Sequence, residues 1–135
     1  MTAIVLDTNV LVSAMLSPRG NEAVVLRLAL AGDFLICVSP ELLAEYEDVL
    51  RRPRLGIPAP AVQSLLSELR SKGKLIHPKT VVSASPDEAD NRFLECAETA
   101  RALYLVTDNK RHFPKSWKQT SIVNARELIE ETIPI

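Results

Sequence analysis

Ala3-Ile4-Val5-Leu6-Asp7-Thr8-Asn9 is the stretch that decides the fold. Its four apolar residues, two of them β-branched, form the short continuous run of a strand buried on both faces of a parallel sheet. Asp7 then stands at the strand's carboxyl end. Phe34-Leu35-Ile36-Cys37-Val38 and Leu103-Tyr104-Leu105-Val106-Thr107 repeat the pattern, and the second of these runs straight into Asp108-Asn109. Ser121-Ile122-Val123 is a shorter apolar run, and Lys74-Leu75-Ile76-His77 reads as a brief edge strand.

Helical patterns fill the spaces between these strands. Residues 9–16 are apolar enough for a short helix, and Asn21 is placed to cap the next, over 22–31, which Gly32-Asp33 stops. Ser39-Pro40 opens a helix on which Leu42, Leu43, Tyr46, Val49 and Leu50 recur at helical spacing. Pro58 and Pro60 open another, with Ala61, Val62, Leu65, Leu66 and Leu69 inward and Lys72-Gly73 at its close. Ser85-Pro86-Asp87-Glu88 has the form of a capping box, Ser at the N-cap and Glu three residues on, before an inner face of Ala89, Phe93, Cys96, Ala97 and Ala100. Asn124 and Glu127 form a second box before the last helix. Strands alternating with helices imply an α/β fold whose mainly parallel sheet is covered by helices on both faces. At 135 residues the chain has the length of one domain, and 1–135 is expected to form it alone.

A composition of 47% hydrophobic and 24% charged residues excludes a disordered or collagen-like chain. Sixteen Lys and Arg against seventeen Asp and Glu give a net charge of −1, so any nucleic-acid contact has to be local. Cys37 and Cys96 sit in separate apolar stretches, which suits reduced, buried thiols. The amino terminus lacks a basic segment and meets Asp7 at once, unlike a signal peptide, and no apolar stretch is long enough for a bilayer. A cytoplasmic protein without a membrane span is expected.

Several chemistries have no parts in this sequence. The glycines at 20, 32, 56 and 73 permit neither of the common phosphate-cradling loops. His77 and His112 are the only histidines, with no HExxH and no GxSxG elbow. Acids remain. Ligands of parallel α/β sheets bind beyond the carboxyl ends of the strands, where Asp7 and Asp108 stand. At about 100° per residue, Glu45 lies about 100° from the apolar stripe of its helix and Asp90 about 75° from that of its own, so both can lean over the same edge. Carboxylates gathered without compensating bases repel one another unless a hard cation such as Mg²⁺ or Mn²⁺ holds them, and a pair of such ions can drive phosphodiester hydrolysis.

Four blocks carry a resemblance: Asp7-Thr8-Asn9; Pro40 to Tyr46 with Leu50-Arg51-Arg52-Pro53; Asp87 to Ala97; and Leu105 to Pro114. In this order, over nearly the whole chain, they resemble the motifs of PIN-domain proteins, and more narrowly of the toxin components of bacterial toxin–antitoxin systems. The resemblance implies a three-layer α/β/α fold, a Mg²⁺- or Mn²⁺-dependent endoribonuclease acting on RNA, and inhibition by a small antitoxin protein. It puts Asp7, Glu45 and Asp90 on the family's acidic positions, with Thr8 or Asn9 as a polar helper.

The fourth block departs from the pattern. Thr107-Asp108-Asn109 stands where the family commonly reads Thr/Ser-Gly-Asp, so the acid is shifted by one. Asp108 is then either a ligand or turned elsewhere, and Asn109 offers a carbonyl oxygen in place of the usual acid. The expected catalytic and metal-ligating set is Asp7, Glu45, Asp90 and Asp108, with Thr8, Asn9, Thr107 and Asn109 as polar helpers and a more water-mediated second metal. Arg51, Lys110 and Arg111 are the candidates for RNA phosphates, although such runs usually form a solvated face.

Two other readings compete with this one. The altered fourth block suits a catalytically weak or inactive PIN domain that binds RNA or a protein. A phosphotransfer domain using Asp7 as acceptor fits poorly, because Asn9 replaces the second acid of a DxD phosphatase. A homodimer is expected if apolar positions on the Pro60 helix are exposed and pair.

Overall fold

Ile4, Val5 and Leu6 are wholly buried, so the strand that carries them, β1 (Thr2–Leu6), is covered on both faces. The computed structural model describes residues 1–134. Around β1 are β2 (Phe34–Val38), β3 (Lys74–Leu75), β4 (Tyr104–Val106), β5 (Ser116–Trp117) and β6 (Thr120–Val123), in the sheet order β3-β2-β1-β4-β6-β5. β1 pairs in parallel with β2 and β4, β2 with β3, and β4 with β6, while β5 runs antiparallel to β6. The helices are α1 (Thr8–Leu16), α2 (Asn21–Leu30), α3 (Pro40–Leu50), α4 (Ala59–Lys72), α5 (Glu88–Ala100) and α6 (Ala125–Thr132). α5 packs on β1, β2 and β4, whereas α2 lies on β2 and against α6, which covers β4.

The local signals explain most of these boundaries. Ser39 Oγ accepts the Leu42 N–H at 3.1 Å, with Pro40 in the first turn of α3. At α6 the box closes both ways: Asn124 Oδ1 accepts from Glu127 N at 2.8 Å and Glu127 Oε1 from Asn124 N at 2.9 Å. Asn124→Ala removes one half of it, and a loss of about 1 kcal/mol is expected in urea denaturation. A change under a few tenths would mean that tertiary packing alone fixes this helix end.

Three readings are corrected. Ser85 does not cap α5; Asp87 does, its Oδ1 accepting from Ala89 N at 3.0 Å. Ser85 is buried and engaged elsewhere: its N–H donates to Asn91 Oδ1 at 2.8 Å, its carbonyl accepts from Asn91 Nδ2 at 3.1 Å, and its Oγ donates to the His112 carbonyl at 2.6 Å. Asn21 is the first residue of α2, and Gly20 holds the N-cap without a side chain. The large apolar residues of the Pro60 helix, Val62, Leu65, Leu66 and Leu69, are buried within the chain and only Ala59, Pro60 and the half-buried Ala61 reach its surface, so this helix offers no broad apolar face for a second copy.

The hairpin β5–β6 has no counterpart in the sequence reading, because its turn at Lys118-Gln119 lacks the usual Asn-Gly or Gly signal. Cys37 and Cys96 are buried and free, as their apolar settings require. Among the described residues no helix is long and apolar enough to cross a membrane.

Candidate active site

The strand order dictates where a site can form. From β1 the chain builds outward to β2 and β3, then returns to the other side of β1 as β4, so the connections diverge between β1 and β4. That divergence opens a crevice beyond the carboxyl ends of the two strands. Asp7 follows β1 and Thr107 follows β4, on the two lips of this crevice.

Asp7 is 5% exposed, and its Oδ2 accepts a hydrogen bond of 2.8 Å from the buried hydroxyl of Thr107. Thr107 Oγ1 in turn accepts the Asn109 N–H at 3.0 Å, so the fourth block orients Asp7 through its threonine. Thr8, also buried, donates its hydroxyl to Glu45 Oε2. Tyr46 sets the position of Glu45: the phenol is wholly buried and donates at 2.5 Å to the carbonyl of Leu6, the residue before Asp7. Burial pushes the tyrosine pKa well up, which keeps the phenol a donor. The Tyr46 ring also packs on Phe93, centroids 6.3 Å apart, and thereby ties α3 to the helix that carries Asp90.

Asp7, Glu45 and Asp90 therefore line one cleft of about 350 Å³, together with Thr8, Asn9 and Asp87. Burial is the main reason the Asp7 carboxyl is pushed up to about 6, and the charges of Asp90 and Glu45 raise it further against the lowering effect of Thr107. Asp90 is likewise raised, first by burial and then by Asp87, with His112 acting in the opposite direction. Four acids, Asp7, Glu45, Asp87 and Asp90, thus share the cleft with two arginines, Arg52 and Arg54.

The donor set fits a hard divalent cation. Its atoms are carboxylate oxygens, and Oδ2 of Asp90 is buried without a hydrogen-bond partner. Among the described residues no three His, Cys, Asp or Glu side chains close around a common point.

Other expected residues lie elsewhere. Asp108 is exposed, accepts from Ser13 Oγ at 3.2 Å and lines a separate hollow with Asn21, Glu22 and Asn124. Asn109 Nδ2 lies 3.1 Å from Nε2 of His112. Arg51 is held by Glu47 at 2.9 Å and Gln63 at 3.0 Å, outside the cleft, whereas Arg52 and Arg54 line it. Lys110 pairs with Glu127 at 2.9 Å, and with Arg111 it borders another hollow beside Phe113 and Lys115. His112, whose Nδ1 stands 3.4 Å from Asp90 Oδ2, was visible in sequence only as the end of a basic run.

A mainly parallel sheet with acids gathered at the divergence of β1 and β4 defines a class of α/β proteins, and the comparison with known families is specific within it. A family model of the PIN domain matches residues 3–111, and the chain belongs to that family. It is 28% identical over 108 residues to an uncharacterized protein of Methanocaldococcus jannaschii, covering 78% of this chain and 70% of that protein. In fold it is similar to a chain in the crystal structure of VapBC2 from Rickettsia felis bound to a DNA fragment from their promoter. The TM-score is 0.57, with 18% identity, over 91% of this chain and 98% of that one.

Proposed function

We propose that the chain is a Mg²⁺- or Mn²⁺-dependent endoribonuclease, the toxin of a cytoplasmic toxin–antitoxin pair held inactive by a small antitoxin protein. The observation that carries this reading is the convergence of Asp7, Glu45 and Asp90, with Asp87 beside them, on one cleft whose basic residues are Arg52 and Arg54. Membership of the PIN-domain family and the likeness in fold to the VapBC2 chain support it.

In this reading Asp7 and Asp90 hold the cation, with Glu45 at the solvent edge. The cation, when bound, lowers the pKa of a coordinated water and offsets charge on the phosphate oxygens. The chain's own residues do the rest. Thr107 keeps one Asp7 oxygen occupied, so that the other stays turned toward the cleft. Thr8 and Tyr46 fix Glu45 beside it, where its carboxylate accepts the proton of the attacking water. The oxygen of that water bonds to phosphorus, the bond from phosphorus to the 3′ oxygen breaks and that oxygen takes a proton from solvent, so the products are a 5′-phosphate and a 3′-hydroxyl. Incubating the purified chain with a mixed RNA pool in Mn²⁺, Mg²⁺ or EDTA tests this reading. Cleavage is expected in the metals alone, and equal cleavage in EDTA would exclude it.

Arg52 and Arg54 are suited to hold phosphates flanking the cut, because they alone bring positive charge to the cleft's lining. Arg52→Ala and Arg54→Ala are expected to weaken RNA binding several-fold and to lower the slope of log affinity against log salt by about 1 each. Arg51→Ala should leave the slope unchanged. Equal slopes in all three variants would remove the cleft arginines from the RNA path.

One observation favours a second reading: Asp108 faces a different hollow from the three acids. A PIN domain that binds RNA or a protein without cutting would retain RNA binding and show no metal-dependent cleavage.

A further inference from the structure

Residues 110–118, Lys110-Arg111-His112-Phe113-Pro114-Lys115-Ser116-Trp117-Lys118, hold four of the chain's sixteen Lys and Arg and none of its seventeen Asp and Glu. In a chain of net charge −1 this is a local concentration of positive charge. Pairing offsets only part of it. Lys110 is tied to Glu127 at 2.9 Å, and Lys118 lies 5.3 Å over the Trp117 ring. Among the described residues Arg111 and Lys115 are exposed and join no ion pair.

These two cations border a hollow of about 530 Å³, completed by Lys110, Phe113 and Ile122. That volume is within the range of small-molecule sites. Phe113 and Ile122 are mostly buried, so they form an apolar floor under a basic edge. A nucleotide matches both parts, since every base has a flat face that packs on apolar and aromatic side chains and every phosphate carries charge. A free anion would leave the floor unused, and a purely apolar ligand would leave the two cations without a partner.

Position joins the hollow to the acidic cleft. His112, the residue after Arg111 on the turn Lys110–His112, pairs through Nδ1 with Oδ2 of Asp90 at 3.4 Å, and Asp90 lines the cleft. The Ser85 hydroxyl, donating to the His112 carbonyl at 2.6 Å, fixes this turn to the segment that leads into α5. In a duplex the bases are paired and stacked and cannot enter such a hollow, whereas an unpaired base can.

We propose that the hollow binds an unpaired base of the RNA close to the cut, with Arg111 and Lys115 on its phosphates, so that the chain selects single-stranded RNA. The inference rests on the reading of the cleft as a ribonuclease site.

Fluorescence anisotropy with a single-stranded RNA of mixed sequence, and with a duplex of the same length, tests the proposal. The full chain carrying Asp7→Asn is used with Mn²⁺, so that the RNA stays intact. The single strand should bind more tightly than the duplex. Arg111→Ala and Lys115→Ala, added to that chain, should each weaken single-strand binding several-fold and lower the slope of log affinity against log salt by about 0.7. Lys74→Ala, on the edge strand at the opposite end of the sheet, should change neither. Cross-links from 4-thiouridine in the strand should map to Phe113 or its neighbours. Unchanged affinity and slope in both variants, equal binding of the duplex, or cross-links confined to the acidic cleft would overturn the proposal; the reading of the cleft would stand if the wild type still cuts RNA. Poly-glutamate binding that is lost in the same two variants while RNA binding is kept would give the hollow to an acidic protein segment and overturn the proposal as well. No cleavage by the wild type in any metal would remove the reading of the cleft, and cross-links in the hollow would still assign it a base.

Discussion

Asp7→Asn is expected to abolish metal-dependent RNA cleavage, by about 10³-fold or more, and at the same time to make the metal-free protein more stable above pH 6. Both effects come from the buried carboxylate. Its pKa is raised from 3.8 to about 6, chiefly by burial, so the folded chain holds this proton more tightly than the unfolded one. For an acid raised in this way the stabilising contribution is complete below pH 3.8 and is lost as pH rises to about 6. Above that, the ionised group costs the fold about 3 kcal/mol. Asparagine keeps the shape and an oxygen for the Thr107 hydroxyl without the charge. Urea denaturation in EDTA at pH 8 should show a gain of about 1–3 kcal/mol, which vanishes near pH 4. A variant no more stable than the wild type at pH 8 would show that the Asp7 charge is not strained in the fold.

Asn91→Ala is expected to cost about 2–4 kcal/mol of stability, the largest loss among substitutions of polar residues near the cleft. Asn91 is 1% exposed and satisfies both the N–H and the carbonyl of Ser85. Removing its amide strands two buried backbone groups, each costing about 1–3 kcal/mol. Asn91 follows Asp90 on α5, so the same change loosens the turn that carries this acid, and residual activity should fall at temperatures where the variant is still folded. Equilibrium denaturation checks the first part, and a loss under 1 kcal/mol would mean that water takes the place of the amide.

The fold was legible because its strands announce themselves. Ile4 to Leu6, Ile36 to Val38 and Leu105-Val106 are continuous apolar runs, and each occupies a buried parallel strand. Asp7, Glu45 and Asp90 were legible as residues, since helical geometry turns the last two toward the edge where Asp7 stands. What places them was not. Tyr46 and Phe93 read as members of an apolar stripe, yet the phenol of Tyr46 reaches the Leu6 carbonyl and its ring fixes the distance between two acidic helices. Asn91 and Glu95 interrupt the inner face of α5 and are buried there because loop backbone groups need partners, Glu95 accepting the Val82 N–H at 2.9 Å. Ser85 had the spacing of a cap but serves a tertiary contact.

Long-range partners explain the rest. Asp108 and Asn109 are neighbours in sequence, but one turns to Ser13 and the other to His112, and no local signal separates them. Arg51 and Arg52 differ likewise: each pairs with an acid one turn back on α3, but Gln63 also holds the first outside the cleft and the second lines it. These choices depend on α4 and on the turn Lys110–His112, elements distant in sequence from the acids they affect.

The most direct test of the account is the chemistry of the cut ends. End-labelled RNA incubated in Mn²⁺ with the wild-type chain, and with Asp7→Asn purified in parallel, should give fragments bearing 5′-phosphate and 3′-hydroxyl ends with the wild type only. Fragments with 2′,3′-cyclic phosphate ends, or equal cleavage by the two proteins, would contradict water attack directed from an Asp7-centred cation site.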